Sequence, residues 1–272
     1  MNRQIRGAAF AAAPFLISTA AQAQRSSPYT GPRNAAVDAV GAKGIEIEAG
    51  AGTLRVEGKA GLRQVQVIGT ARSSTQQLPS QIRLIAERRG DIVFIKADLP
   101  DQHWNSDFDH GYSVALDLDI QVPQGINADI TDGSGDTKIF NVGSLEATDG
   151  SGGFLVDGAA GSVHVTDGSG DLTIENVGGD VTVTDGSGDI NVRNITGSFT
   201  VESDGSGGIY ATDVRGSVIV KHDGSGEIDV DKVGRDFTVE SKGSGSIVYT
   251  AVSGRVDIPE RHRWRDRRGD DR

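Results

Sequence analysis

The sequence contains no cysteine, and only 5% of its 272 residues are aromatic. Without cysteine the chain can form no disulfide and offers no thiol for lipidation. The fold must therefore be held together by burial of apolar side chains and by backbone pairing. This requirement favours a regular architecture, and the low aromatic content fits a thin core of aliphatic side chains.

Basic residues are also few, with 27 Lys and Arg against 38 Asp and Glu and a net charge of −11. Such acidity argues against nucleic acid or an anionic membrane as the main partner. The charge is uneven along the chain. Residues 260 to 272 carry six Arg against four acidic residues, a composition that predicts a disordered, Arg- and Asp-rich tail.

Long apolar runs are missing except at the N-terminus. Arg3 and Arg6 precede an apolar stretch over residues 8–21, and residues 21–23 supply the small side chains that a signal peptidase reads. A membrane anchor would need about 20 continuous apolar residues, and this run is shorter. We therefore predict a signal peptide over residues 1–23 and a periplasmic or extracellular protein whose mature chain has no integral membrane segment.

A four-residue motif dominates the second half of the chain. Between its copies apolar and polar residues alternate, as in Leu172 and Ile174 and then Val181 and Val183, which is the period of a β-strand. One such unit cannot bury its apolar face, whereas units stacked about 4.8 Å apart form a continuous core. Asp-Gly-Ser-Gly begins at Asp132, Asp149, Asp167, Asp185, Asp204 and Asp223, and a seventh copy begins at Lys242.

The motif spacings of 17, 18, 18, 19, 19 and 19 residues predict an all-β fold. We assign residues 131–259 to a parallel β-solenoid, or β-helix, of about 18-residue coils. A sandwich of antiparallel hairpins is the alternative, but its turns would vary from loop to loop. Residues 41–130 are predicted to form an N-terminal, strand-rich cap region that includes one degenerate coil, and residues 24–40 a linker.

Several residues carry a family resemblance. The repeated Gly-Ser-Gly turns follow a strand that ends in Val-Pro-Gln-Gly at residues 122–125, and an early Ile-Glu-Ile-Glu-Ala-Gly-Ala-Gly lies at residues 45–52. Over about residues 40–258 this order resembles the bacterial DUF4097 family of adhesin-like proteins. The resemblance implies an extracytoplasmic β-solenoid and carries no catalytic residues with it.

The aspartate that opens each motif is the main candidate for chemistry. A stack of these residues places like charges about 4.8 Å apart, so either solvent or cations must offset their repulsion. Calcium binds six to eight oxygens, which the Asp, the Ser hydroxyl and Gly carbonyls could supply. A second column of Asp136, Asp171 and Asp189 supports calcium only in part. The alternative is structural: each Asp caps its own turn while both Gly adopt positive φ.

Two further sequence features invite a binding role. Residues 99–112 form a non-repetitive segment suited to a glycan or protein contact, or to covering the end of the solenoid. Arg-Gly-Asp occurs at residues 89–91 and 268–270, and the first copy lies on a predicted hairpin turn, where Gly-Asp is ordinary. The polar and aromatic residues of the segment are His103, Trp104, Asp107, Phe108, Asp109, His110 and Tyr112.

Catalysis is not expected. The motif serine recurs in seven turns without the strand-to-helix elbow of a serine nucleophile, and the coils lack the loop excursions that build an enzymatic cleft. We predict an exported, non-enzymatic, adhesin-like structural and binding protein of the bacterial cell envelope, with no catalytic, metal or cofactor site. Its partner would be an envelope polymer, a glycan or a protein. The alternatives are a calcium-stabilised, β-roll-like secreted module and a carbohydrate-active β-helix enzyme.

Overall fold

A computed structural model describes residues 28–100 and 112–259. The predicted signal peptide, residues 101–111 of the non-repetitive segment and the predicted tail lie outside these ranges. The described chain is all-β apart from a three-residue 3-10 helix at Leu78–Ser80. No helix in the described ranges is long and apolar enough to span a membrane.

Seven strands precede the first complete motif. They are β1 (Tyr29–Asp38), β2 (Gly44–Glu48), β3 (Leu54–Lys59), β4 (Gln64–Ser73), β5 (Arg83–Arg89), β6 (Ile92–Asp98) and β7 (Val114–Pro123).

Each motif joins two strands of one coil, one in each of two sheets. The strands before the motif turns are β8 (Asn127–Asp132), β10 (Leu145–Asp149), β12 (Val163–Asp167), β14 (Val181–Asp185), β16 (Phe199–Asp204), β18 (Val218–Ser225) and β20 (Phe237–Ser244). The strands after them are β9 (Thr137–Val142), β11 (Phe154–Ala159), β13 (Leu172–Val177), β15 (Ile190–Ile195), β17 (Ile209–Val214), β19 (Ile228–Val233) and β21 (Ile247–Val252), and β22 (Val256–Asp257) ends the series.

Two sheets of 11 strands run the length of the stack. Sheet I has the order β1-β4-β7-β3-β9-β11-β13-β15-β17-β19-β21, and sheet II has the order β22-β20-β18-β16-β14-β12-β10-β8-β2-β6-β5. From β6 and β7 onward all neighbouring strands pair in parallel, with equivalent residues opposite each other, as Val163 is opposite Val181. The predicted parallel β-solenoid is confirmed.

The core consists of stacked aliphatic columns. In the coil of β14 and β15, the inward Val181, Val183, Ile190 and Val192 are 0 to 2% exposed, as the period-two pattern requires. A further inward residue follows each corner, for example Ile195 at 1% exposure. Every motif-bearing coil thus adds its apolar residues to one continuous core.

The corners depend on residues in the left-handed region of backbone conformation. Asn176 and Asn194 have φ values of 59° and 57°, a region that short polar side chains tolerate better than other residues. Their amides form a ladder, because Asn194 Nδ2 donates to Asn176 Oδ1 at 2.6 Å and Asn176 Nδ2 donates to Asp157 Oδ1 at 2.6 Å. The ladder ties neighbouring coils together at the edge of sheet I.

The early coil lies inside the parallel stack rather than before it. Strand β2 pairs in parallel with β8, and β3 pairs in parallel with β9, so residues 44–58 form the predicted degenerate coil. On their other sides, β2 and β3 pair with β6 and β7. Antiparallel strands β1, β4 and β5 then close this end of the solenoid.

The predicted linker is wrong over strand β1. Tyr29–Asp38 pairs antiparallel with β4 along its whole length, and the Arg33 Nε donates to the Ile82 carbonyl at 2.7 Å. Pro32 is tolerated because β1 is an edge strand, where a missing N–H need not break a ladder. A long pairing partner therefore outweighs the Ser, Pro and Gly composition of this segment.

Candidate functional site

Six motif aspartates form a buried column inside the solenoid. We call this set the aspartate column; its members lie at or near the ends of the sheet II strands, and neighbours are opposite each other in register. Each member is only 2 to 4% exposed. The aspartate column consists of Asp132, Asp149, Asp167, Asp185, Asp204 and Asp223.

The strand pattern explains why these side chains point inward. In β14 the buried positions are Val181, Val183 and Asp185, which alternate with half-buried threonines. In β16 a register shift after Val183 of the partner strand brings Asp204 back opposite Asp185. This irregularity adjusts the longer 19-residue spacing so that the carboxylate stays inside.

The sequence predicts a stack of these aspartates, and the structure places that stack in the interior. The aspartates are buried, whereas the motif serines are exposed, as at Ser134, or half-buried, as at Ser169. Among residues 28–100 and 112–259, no three His, Asp or Glu side chains are grouped closely enough to hold a metal ion. Calcium binding by the turns stays a prediction.

Hydrogen bonds satisfy the aspartate column only in part. Asp132 accepts from the Gly133 N–H and the Thr137 hydroxyl, both at 2.8 Å, and Asp167 accepts from the Ser169 N–H at 3.2 Å. The contacts with the Gly133 and Ser169 N–H groups are the turn capping that the sequence predicts. Both carboxylate oxygens are buried without a hydrogen bond of ordinary geometry at three other positions, Asp149, Asp185 and Asp204.

Burial makes these carboxyls hard to ionise, because the interior disfavours their charged form. Desolvation, together with the charges of neighbouring aspartates, raises the pKa of Asp149 to about 7 and that of Asp204 to about 7. The pKa of Asp185 rises to about 6, again chiefly through desolvation and then through Asp167. Desolvation also raises the pKa values of Asp132 and Asp167.

A lysine ends the column at the seventh motif. Lys242 lies opposite Asp223 in the parallel pairing of β18 and β20, and its side chain is completely buried. Its Nζ donates to Asp223 Oδ2 and to the Gly226 carbonyl, the latter at 2.8 Å. In the sequence, Lys242 is visible as the residue that replaces Asp in the seventh motif. The residues around it give no indication that it forms a buried ion pair.

The second acidic column is structural and exposed. Asp136 Oδ1 accepts from the Gly153 N–H at 3.2 Å, and Asp189 Oδ1 accepts from the Gly208 N–H at 2.8 Å. Each of these carboxylates bonds the backbone of the next coil. They therefore join neighbouring turns without facing the aspartate column.

The two glycines of each motif differ in backbone conformation. The second Gly of each motif has a positive φ, as at Gly188 with 136°, whereas the first Gly does not, which corrects the expectation that both do. A Cβ at Gly188 would overlap the Gly170 carbonyl oxygen of the preceding coil. The turns therefore stack too closely for any side chain at this position.

Sheet II carries a regular outer face. Four threonines at equivalent positions lie opposite one another in register, at exposed or half-buried positions. The column beside them includes Glu146 and His164, whose Oε1 and Nε2 are 3.8 Å apart. We call the four threonines, Thr131, Thr148, Thr166 and Thr184, the threonine face.

The remaining predicted sites contribute little to the described surface. Gly90 of the first Arg-Gly-Asp has a φ of 64° in the β5–β6 turn, as the hairpin prediction requires. The Arg89 guanidinium lies 3.4 Å from the Phe94 ring centroid and 2.7 Å from Glu87 Oε1. Tyr112 packs against the core, while the other aromatic and acidic residues of its segment lie outside the described ranges.

No protein-family model matches the chain, and no curated protein matches it. Solved structures similar to it include a putative adhesin from Bacteroides fragilis NCTC 9343, with 15% identity, a TM-score of 0.44 and coverage of 86% of this chain and 98% of that chain. A putative lipid binding protein from Parabacteroides distasonis ATCC 8503 has 14% identity, a TM-score of 0.45 and coverage of 84% and 97%. A putative cell adhesion protein from Clostridium sporogenes ATCC 15579 has 12% identity, a TM-score of 0.36 and coverage of 84% and 98%. Likenesses of this size carry no argument about the function of this chain.

Proposed function

We propose that this chain is an exported, non-enzymatic, adhesin-like binding protein of the bacterial cell envelope. The observation that carries the proposal is the threonine face, an in-register row of threonines on the outside of a parallel sheet. Export rests on the predicted signal peptide over residues 1–23. The proposed partner is an extended envelope polysaccharide.

The chemistry of the face fits such a polymer. Each Thr hydroxyl both donates and accepts a hydrogen bond, as do the hydroxyls of a sugar. Successive threonines repeat about every 4.8 Å along the stack, so a chain lying along the solenoid meets the same group several times. Single hydrogen bonds of about 1 kcal/mol then add up along one ligand, which gives affinity without an enclosed pocket.

The surroundings of the threonine face also suit binding rather than bond cleavage. A groove lined by Asn127, Ser144 and His164 runs beside it and is open to solvent. A polysaccharide-cleaving enzyme would instead enclose a substrate segment and exclude water from the reacting atoms. The open groove can hold a polymer without distorting it.

The second candidate is a calcium-stabilised secreted module. The unpartnered buried oxygens of Asp149, Asp185 and Asp204 are the observation in its favour, since a cation would relieve their repulsion. Protonation relieves the same repulsion without any further ligand, and desolvation already raises the pKa values of these three carboxyls. We therefore favour the proton over calcium as the species that makes the aspartate column tolerable.

A binding and cleavage assay tests the main proposal. The full chain would be incubated with insoluble envelope polysaccharide, and bound protein and newly formed reducing ends would be measured in the same samples. We expect saturable binding with no reducing ends above those of the polymer alone. Release of shorter sugars would identify the carbohydrate-active enzyme instead, and absence of saturable binding would contradict the proposed partner.

A further inference from the structure

The contact between Asp223 and Lys242 joins two adjacent coils deep inside the solenoid. Their side chains are 1% and 0% exposed, and the Lys242 Nζ donates to Asp223 Oδ2 and to the Gly226 carbonyl. Asp223 Oδ1 is buried without a hydrogen bond. An amine and a carboxyl group are thus held against each other with water excluded.

A second carboxyl group lies on the other side of this contact. Asp204 is opposite Asp223 in the parallel pairing of β16 and β18 and is 2% exposed. Neither of its oxygens has a hydrogen bond of ordinary geometry. Desolvation and the charges of Asp185 and Asp223 raise its pKa to about 7, so a large fraction of Asp204 carries a proton near neutral pH.

We propose that Lys242 and Asp223 condense to form an isopeptide bond that links the last two motif-bearing coils covalently. The Lys242 ammonium first passes a proton to the Asp223 carboxylate along their hydrogen bond, which leaves a neutral amine and a carboxylic acid. The Nζ then attacks Cγ, a C–N bond forms and a C–O bond breaks. Asp204 protonates the departing oxygen and receives the proton that the nitrogen loses. One ammonium and one carboxylate become one amide and one water molecule, and no oxidant or reductant is needed.

Burial and alignment make this step reasonable at Lys242 and not at other lysines. In water an ammonium and a carboxylate are strongly solvated, which opposes their condensation, whereas the interior penalises both charges. Fixed contact between the reacting groups replaces a bimolecular encounter. The neighbouring Lys221 and Glu202 offer an internal comparison: Nζ and Oε2 are 2.7 Å apart, but both side chains are 40% exposed.

The bond would hold the end of the solenoid that has the fewest strand contacts. The link closes a 19-residue span beside β22, a strand of only two residues. Coils at the end of a stack have a neighbour on one side only, so they open first. A covalent link there goes beyond the proposed binding function and does not depend on it.

Mass spectrometry of the full chain tests the proposal. Trypsin cannot cleave at an acylated Lys242, so residues 222–232 and 236–255 should be recovered as one branched peptide, lighter than its two parts by one water molecule. The Lys242→Arg variant should yield residues 222–232, 236–242 and 243–255 as three separate peptides, because trypsin also cleaves after the introduced arginine. Residues 202 and 221 provide the control, because their exposed pair should remain unlinked. Recovery of Asp223 and Lys242 in separate, unmodified wild-type peptides would overturn the proposal.

Two more variants separate the chemistry from simple loss of folding. Asp223→Asn should still form the amide but should release ammonia, so its branched peptide would have the same mass as that of the wild type. Asp204→Asn keeps the shape of the side chain and removes its acidic proton, so we expect a folded chain by far-ultraviolet circular dichroism with at least tenfold less link. A folded Asp204→Asn chain linked to the wild-type extent would refute the role of Asp204.

Discussion

Raising the pH from 4.5 to 8 should destabilise this protein, because it ionises carboxyls buried in the aspartate column. Asp185 shows the sign of the effect. Its pKa is about 6 in the folded chain and about 3.9 in an unfolded one. Below the unfolded value the carboxyl is protonated in both states and has no influence on stability. Between the two values the folded state holds the proton more tightly, so stability falls as the pH rises, and above the folded value the full penalty is present.

The size of the effect follows from the same two values. The interval between about 6 and about 3.9 corresponds to ~3 kcal/mol for Asp185 alone. Asp185→Asn removes this titration while keeping the side-chain shape. At pH 8 the variant should therefore be more stable than the wild type by up to ~3 kcal/mol, or roughly 6–12 °C in Tm for a chain of this size. At pH 4.5 the two should differ little.

The assay is thermal unfolding of the full chain by far-ultraviolet circular dichroism at pH 4.5, 6 and 8. Asp129→Asn is the matched control, since Asp129 is an exposed residue of the same sheet and its change should leave Tm unaltered at every pH. The pH range stops at 4.5 because Lys59 and Lys43 lower the pKa values of Glu57 and Asp91, whose contributions fade under stronger acid. A wild-type Tm that is constant or rises with pH would refute the reasoning.

Three other outcomes follow from the packing. Gly188→Ala should lower Tm sharply because an added Cβ overlaps the Gly170 carbonyl oxygen, whereas Gly61→Ala, with a positive φ but open space around it, should be milder; equal effects would contradict the close stacking of the turns. Phe199→Ala should reduce the unfolding free energy measured in urea by about 3–5 kcal/mol, since Phe199 is completely buried. Millimolar calcium in place of EDTA should leave Tm unchanged, and a large upward shift would favour the calcium-stabilised alternative.

Much of the repeat architecture could be predicted because its signals are local and repeated. Alternation identified strands such as β13 and β14, and the motif spacing identified a stack with parallel register. The same alternation extends from Val181 and Val183 to Asp185, so the inward position of this aspartate could also have been predicted. It was missed because Asp in a glycine-rich turn ordinarily lies at the surface.

Other features depend on contacts that no local pattern records. The insertion of β2 and β3 between β6–β7 and β8–β9 joins segments that are distant in the chain, and alternation gives no information about which strands pair. Strand β1 is stabilised by β4 rather than by its own composition. The register shift beside Glu202 likewise depends on how β14 pairs with β16. In the sequence it is indicated only by the change to a 19-residue motif spacing.

The buried charge of Lys242, at the end of the aspartate column, could not be predicted from a local pattern either. Lys242 could be recognised as a departure from the motif. Its role as a partner of Asp223 depends on the fold, because the position is buried and Asp223 lies opposite it. Because of this placement, the Lys at the seventh motif forms an ion pair that has no access to water. The isopeptide proposal rests on this three-dimensional arrangement.

The binding of polysaccharide by the threonine face is tested most directly by comparing two triple variants. One replaces Thr148, Thr166 and Thr184 with Val, and the other makes the same change at three outward threonines of sheet I. Valine keeps the β-branched shape and replaces the hydroxyl with a methyl group, which cannot form a hydrogen bond. The control variant changes Thr173, Thr212 and Thr250.

The measurement is the Kd of each full-length variant for insoluble envelope polysaccharide by co-sedimentation. Loss of three hydrogen bonds of about 1 kcal/mol each predicts at least a tenfold higher Kd for the threonine-face variant and a wild-type Kd for the sheet I control. Equal Kd values for the two variants would contradict the assignment of binding to this face.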